Sequence, residues 1–148
     1  MKTTSMGVLV CAVLVAGASA WEKKVQMKDL PPAVQKAVEE QSKGATLAGL
    51  SKEVEKGVTL YEAELKAGGR TKDVTFDAAG NVVISEEETS IDSIPAPARE
   101  AIQKAVGKRK LVLVETVSEK GSTFYEAHYK SGPFTKELKV DASGKAVQ

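Results

Sequence analysis

The sequence predicts an α+β protein built as a tandem repeat, in which each unit has one helix packed on a four-stranded antiparallel sheet. Residues 55–63 (EKGVTLYEA) return as residues 119–127 (EKGSTFYEA). The same offset of 64 aligns residues 29–83 with 93–147 without a gap, and 18 of the 55 positions are identical. In each copy a stretch with helical periodicity precedes short stretches that alternate apolar and polar residues. Helix followed by several strands favours the α+β class, with repeats at 29–88 and 93–148.

The first 20 residues are predicted to be a signal peptide. Lys2 gives a positive start, an apolar run (MGVLVCAVLVA) follows, and Ala18-Ser19-Ala20 is a small-x-small cleavage pattern. An uncleaved membrane anchor is the alternative, but the run is shorter than the ~20 residues that a spanning helix requires. We therefore expect a periplasmic or secreted protein with no stable membrane insertion after cleavage.

Composition narrows the class of the mature chain. The single cysteine, Cys11, lies in the predicted signal peptide, so a hydrophobic core rather than disulfides must hold the exported chain together. Without Lys2, 20 basic side chains balance 20 acidic ones. This balance argues against a nucleic-acid partner, which requires clustered Lys and Arg.

Each repeat opens with a predicted helix. The first follows Leu30-Pro31-Pro32, because proline is tolerated in the first helical turn, where the backbone amides lack intrahelical partners. Its buried face is predicted from the spacing of Leu30, Val34 and Val38, and Gly44 is a plausible cap. The second helix begins after Ile94-Pro95 and ends at Gly107.

Strands are predicted to follow each helix. Their ranges are 46–54, 58–66, 70–76 and 82–84 in the first repeat, and 110–118, 122–130, 134–140 and 146–148 in the second. Alternation places Tyr61, Ala63 and Leu65 on the face that packs under the helix. The matching set in the second repeat includes Tyr125 and Ala127.

Glycine-containing turns are predicted to separate the strands. Residues 77–81 and 141–145 read as hairpin turns in which aspartate accepts bonds from turn amides and glycine takes a left-handed conformation. Calcium binding by these aspartates is less well supported, because a calcium loop needs more regularly spaced oxygen ligands. The charged run 86–89 is interpreted as a solvated strand end and linker.

These elements together resemble the PepSY-like superfamily, in particular secreted bacterial PepSY-like proteins grouped with β-lactamase-inhibitor-like (BLIP-like) repeats. The resemblance rests on the order of the helix start Leu30-Pro31-Pro32-Ala33-Val34, the strand motif Tyr61-Glu62-Ala63 and the turn Asp77-Ala78-Ala79-Gly80. It implies a helix on a curved antiparallel sheet, in an exported protein that binds or restrains another protein. β-Lactamase inhibitor proteins themselves carry disulfides and a longer helical part, which this chain lacks, so the resemblance does not extend to β-lactamase inhibition.

No catalytic, cofactor or metal site is predicted. His128 is the only histidine, so a Ser-His-Asp arrangement would have to use it, with Glu126 two residues away on the same strand face. We interpret His128 as a surface residue of its strand. A zinc site would need several His or Cys ligands, and the chain has too few of them. Glu62 and Glu64 share a face at a separation that a glycosidase could use, but nothing else in the sequence indicates a sugar cleft.

The remaining candidate is a binding surface on the outer face of the sheet. Its predicted members are Leu60, Glu62, Glu64, Phe124, Glu126 and His128. We expect an exported, non-enzymatic module that binds or inhibits another exported protein or peptide through this face. The alternatives are a cell-envelope protein that binds a small molecule or cation on the acidic strand face and, more remotely, a hydrolase. The sequence leaves the oligomeric state open.

Overall fold

A computed structural model describes residues 21–55 and 57–147 of the chain, and the predicted signal peptide lies outside these residues. Eight antiparallel strands lie side by side in chain order in one sheet. The elements are β1 (Trp21–Lys24), α1 (Pro32–Gln41), β2 (Thr46–Glu55), β3 (Val58–Ala67), β4 (Arg70–Phe76), β5 (Val82–Glu88), α2 (Ala96–Val106), β6 (Leu111–Glu119), β7 (Ser122–Ser131) and β8 (Phe134–Asp141).

The prediction of two units, each with one helix on its own four-stranded sheet, is wrong. β5 runs on through the residues interpreted as a linker and pairs with β6, from Ile84 opposite Glu119 to Glu88 opposite Glu115. This pairing satisfies the backbone groups that two separate sheets would leave exposed at their edges. The lead-in residues add β1 to β2. The fourth strand predicted for the second repeat is reduced to one bridge between Val140 and Ala146.

Both helices cover the same face of this sheet. α1 packs Val34 and Val38 against Leu65, Val74 and Phe76 of β3 and β4. α2 packs a similar core against β6 to β8, with the members Ala98, Ile102, Val106, Val114, Ala127 and Val140. The predicted inward face of the strands is therefore confirmed, and the opposite face carries no helix in the described part of the chain.

Close packing of the hairpin turns fixes the position of each helix. Gly80 and Gly144 have φ values of +81° and +82°. A Cβ atom on Gly80 would lie 2.5 Å from the carbonyl oxygen of Ala33, and one on Gly144 would lie 2.5 Å from that of Pro97. Each turn thus touches the first turn of a helix so closely that only glycine fits. Among the described residues, neither helix has the length and apolar content needed to cross a bilayer.

Candidate functional site

The candidate site is the face of the sheet that the helices leave uncovered, which we call the open face. Strand alternation places a group of carboxylates on it, because residues paired across antiparallel strands share a face. We call this group the acidic band; its members are Glu62, Glu64, Asp73, Glu86, Glu88, Glu115 and Glu126.

Two cross-strand rows organise the acidic band. In one row Asp73 lies between Glu64 on β3 and Glu86 on β5. In the other row Glu115 lies between Glu88 on β5 and Glu126 on β7. Like charges directly opposite each other on a sheet are destabilising. The open face therefore carries an arrangement of like charges that lowers the stability of the folded protein.

Gly49 provides room for one member of the band. A bulge between Leu47 and Gly49 brings Gly49 opposite Glu64. A Cβ atom on Gly49 would lie 3.0 Å from Glu64 Oε2, so the carboxylate lies over the glycine backbone. Bulges and glycines of this kind reorient a side chain relative to a regular strand.

Burial and mutual repulsion raise the pKa of three carboxylates in the band. Burial, followed by the charges of Asp73, Glu86, Glu22 and Glu64, raises the pKa of Glu62 to about 8. Burial and the neighbouring carboxylates Glu115 and Glu126 raise the pKa of Glu86 to about 7. The pKa of Asp73 rises to about 6, with burial the main cause. Near neutral pH these three carboxyl groups are therefore partly protonated. A bound cation would favour their charged forms.

His128 lies at the other end of the band, between two carboxylates. Its Nε2 atom is 3.1 Å from Glu115 Oε2 and 3.1 Å from Glu126 Oε1. Its Nδ1 atom is 3.7 Å from Glu137 Oε1 on β8. The other oxygen of Glu126 lies 3.5 Å from Lys139 Nζ. Burial lowers the pKa of His128, but the bonds to Glu115 and Glu126 outweigh it and raise the pKa to about 10.

All six residues predicted for the binding face lie on the open face, but they form two groups. Leu60, Glu62 and Glu64 are on β3, while Phe124, Glu126 and His128 are on β7. Four strand spacings of about 4.8 Å separate β3 from β7, or roughly 19 Å. The structure therefore brings Glu126 and His128 into contact and keeps them away from the β3 residues.

The interpretation of His128 as a surface residue is wrong. His128 is 6% exposed and Glu126 is 4% exposed. The reason is that cross-strand neighbours on β6 and β8 enclose both side chains. Phe124 is half-buried, and Lys139 Nζ lies 5.9 Å from its ring centroid.

Sequence reasoning missed Glu115, which shares the contact with His128. The signal was present in the hairpin turn between β6 and β7. Lys120 and Gly121 both have positive φ, as a two-residue turn requires, and Glu119 pairs with Ser122. Counting back from this turn pairs Glu115 with Glu126. Asp73 and Glu86 were also missed, because their approach depends on the pairing of β4 with β5.

Solved structures of similar fold are known from Bacteroides. A BLIP-like protein of Bacteroides fragilis is 27% identical, with a TM-score of 0.59, over 80% of this chain and 84% of that one. The fold of this chain is therefore BLIP-like. A Bacteroides eggerthii protein, provisionally described as periplasmic, is 17% identical with a TM-score of 0.65, covering 80% of this chain and 86% of its own. A DUF2874 family protein of Bacteroides ovatus is 18% identical with a TM-score of 0.62. The match covers 80% of this chain and 85% of that protein.

Sequence comparison alone adds no closer relationship. No protein-family model matches the chain, and no curated protein matches it. The PepSY-like part of the resemblance, the division into repeats at 29–88 and 93–148 and the signal peptide stay predictions. The descriptions of the three structural neighbours name no enzyme activity.

Proposed function

We propose that this chain is an exported, non-enzymatic binding module whose open face binds a positively charged segment of another exported protein. The observation that carries the proposal is the acidic band, a concentration of half-buried and buried carboxylates on the face that the helices leave free. The net charge of the chain is only +1, whereas the acidic band gathers seven carboxylates on one face of the sheet. Charge complementarity of this kind favours a Lys- or Arg-rich partner.

The raised pKa values of the band support a cationic partner. The charges of Asp73 and Glu86 disfavour the charged form of Glu62. Asp73 and Glu86 are themselves disfavoured in their charged forms by the nearby carboxylate of Glu115. A bound ammonium or guanidinium group would compensate this repulsion. Carboxylates that cost stability in the free protein are typical of a site shaped for a ligand rather than for the fold alone.

The neighbours support the export and the binding role. The Bacteroides eggerthii neighbour is provisionally described as periplasmic, which agrees with the signal peptide predicted for residues 1–20. The Bacteroides fragilis neighbour is described as BLIP-like. On the basis of these descriptions we extend to this chain a periplasmic or secreted location and a role in binding another protein. Inhibition of that protein is part of the proposal.

The hydrolase alternative has little support from the site. It rested on Glu62 with Glu64 and on Glu126 with His128. Glu126 and His128 are 4% and 6% exposed, so a substrate has poor access to them. The cation-binding alternative has a specific observation in its favour, the contact of His128 with Glu115 and Glu126.

A calorimetric titration tests the proposed function. The probe is a decalysine peptide, with a decaglutamine peptide as the neutral control. The variant Glu62→Gln/Glu64→Gln removes two carboxyl groups from the open face, and Glu39→Gln/Glu100→Gln removes two from exposed helix positions. We expect the first variant to weaken decalysine binding by roughly five- to thirtyfold, because each lost ion pair contributes about 0.5–1 kcal/mol.

The control variant should bind decalysine with nearly the affinity of the unmodified protein. Binding should also weaken as the salt concentration rises, since salt screens charge attraction. Equal binding by all three proteins, or equal affinity for decalysine and decaglutamine, would contradict the proposal.

A further inference from the structure

We propose that Glu115, Glu126 and His128 form a binding site for a divalent transition-metal ion of the zinc class. The three side chains offer one ligand atom each, and these atoms all lie within 4.8 Å of one another. The inference goes beyond the proposed protein-binding function and does not depend on it.

The distances suit a metal ion with little rearrangement. Zinc binds imidazole nitrogen and carboxylate oxygen at about 2.0–2.2 Å, so neighbouring ligand atoms of a tetrahedral site lie roughly 3.3–3.5 Å apart. His128 Nε2 is 3.1 Å from an oxygen of each glutamate. Each of these two distances would have to lengthen by a few tenths of an ångström, and the two glutamate oxygens, which lie within 4.8 Å of each other, would have to adopt a similar spacing.

The fold holds the three ligands in place. Glu115 on β6 lies directly opposite Glu126 on β7, and His128 is the next residue of β7 on the same face. The three side chains are only 4 to 6% exposed, so this cluster is unlike a group of solvated surface acids. His128 and Lys139 supply positive charge beside these carboxylates, and a bound divalent ion would displace the Nε2 proton of His128 to solvent and take over this role.

The surroundings of the ligands match the arrangement found around metal-binding histidines. Such a histidine usually donates its second ring N–H to a carboxylate, which fixes the ring and leaves the other nitrogen for the ion. Glu137 Oε1 lies 3.7 Å from His128 Nδ1, slightly beyond hydrogen-bond distance, and would take this role after a small side-chain movement. Lys139 contacts Glu126 Oε2, whereas Glu126 Oε1 contacts His128 and is the oxygen offered to the proposed site.

The ligand set indicates the class of ion. One imidazole with two carboxylates suits zinc and neighbouring transition metals, whereas calcium and magnesium prefer oxygen ligands alone and a larger number of them. Two carboxylates would balance the charge of a divalent ion. Three protein ligands leave a fourth position for water or for a donor from a bound partner.

The first experiment follows the only histidine of the chain. Tag-free, chelator-treated protein is titrated with ZnCl₂ while the imidazole ¹⁵N signals of His128 are recorded by NMR. We expect a large shift of the Nε2 signal that is complete at one ion per chain, and MgCl₂ in place of ZnCl₂ should leave the signal unchanged. No change with zinc, or a change with magnesium as large as that with zinc, would overturn the proposal. Because the unmodified protein is used, this result does not depend on a variant that folds.

The second experiment compares variants by calorimetry with ZnCl₂. Glu115→Gln and Glu126→Gln keep the size of the side chain and should each weaken zinc binding at least tenfold. The matched control is Glu64→Gln, which removes a carboxylate from the same face far from His128 and should leave zinc affinity unchanged. Equal zinc affinity in all four proteins would contradict the site. The decalysine variants retain Glu115, Glu126 and His128, so failure of the metal site and failure of the protein-binding function are separate results.

Discussion

At the scale of single residues, Glu62 shows how the acidic band affects stability. It lies on β3 at the centre of a group of charged side chains on the open face. Those from β1 to β5 are Glu22, Lys24, Glu53, Glu64, Lys66, Asp73, Glu86 and Glu88. The pKa of Glu62 in the folded protein is about 8, well above the value of about 4.3 for an unperturbed glutamate.

This difference makes the stability of the protein depend on pH. The folded state holds the Glu62 proton more tightly than the unfolded state does. The stability contributed by protonated Glu62 is therefore fully present below the pKa that Glu62 has in the unfolded state. It is lost as the pH rises through about 8, the pKa of Glu62 in the folded state. Glu62→Gln removes this loss of stability. We therefore expect the variant to be more stable than the unmodified protein at pH 8 by roughly 1–3 kcal/mol. This magnitude follows from about 1.4 kcal/mol for each pKa unit, reduced because solvent screens the half-buried carboxylate.

Urea unfolding at pH 5 and at pH 8 measures this effect. The gain from Glu62→Gln should be much smaller at pH 5 than at pH 8, while Glu39→Gln on the exposed surface of α1 should change little at either pH. A Glu62→Gln variant that is less stable than the unmodified protein at pH 8 would show that the carboxylate stabilises the fold.

At the scale of elements, the contact of a hairpin turn with a helix makes a second stability prediction. Gly80→Ala places a methyl group 2.5 Å from the carbonyl oxygen of Ala33 in addition to straining a left-handed backbone. Gly69 has a similar φ of +79°, but a Cβ atom there meets nothing within 4 Å. We expect Gly80→Ala to destabilise by roughly 2–4 kcal/mol and Gly69→Ala by about 1 kcal/mol.

Thermal unfolding of the two variants separates close packing from backbone strain. The difference between them reports the contact of the turn with α1. Equal losses of stability would mean that the turn and the helix are not held as closely as the structure shows.

Most elements could be predicted from the sequence because their signals are local. The predicted strand 70–76 has the bounds of β4. The other predicted strands that the structure contains differ from the observed strands mainly at their ends. Alternation and glycine turns act within a few residues, so one stretch of sequence contains them. The Asp77 turn forms as predicted, with Asp77 Oδ1 accepting bonds from the amides of Ala79 and Asn81 at 2.9 Å.

The errors concern contacts between distant parts of the chain. Continuation of β5 through Glu86–Glu88 depends on β6, which follows only after a helix. The burial of His128 likewise depends on Glu115 and Glu137 from the adjacent strands. The charged run 86–89 has no partner in its own segment, so its local pattern indicates solvated residues, although residues 86–88 pair with β6.

At the scale of the whole molecule, one continuous sheet has a packed face and an open face. The helices and the hairpin glycines form the packed side. The open side carries the acidic band across β3 to β7, and a single sheet is required to bring the carboxylates of both halves of the chain together. The BLIP-like fold is compatible with this division, and the proposed cationic partner would lie across the junction of β5 and β6.

Site-specific photocrosslinking tests this central claim most directly. A photoreactive phenylalanine derivative replaces Leu60 on the open face in one protein and Glu39 on the exposed side of α1 in another, and both are illuminated in the exported-protein fraction. The account predicts a discrete adduct from position 60 that excess decalysine abolishes, with a basic peptide of the partner at the crosslink, and no such adduct from position 39. An adduct from position 39 alone, or one from position 60 that decalysine leaves intact, would contradict it.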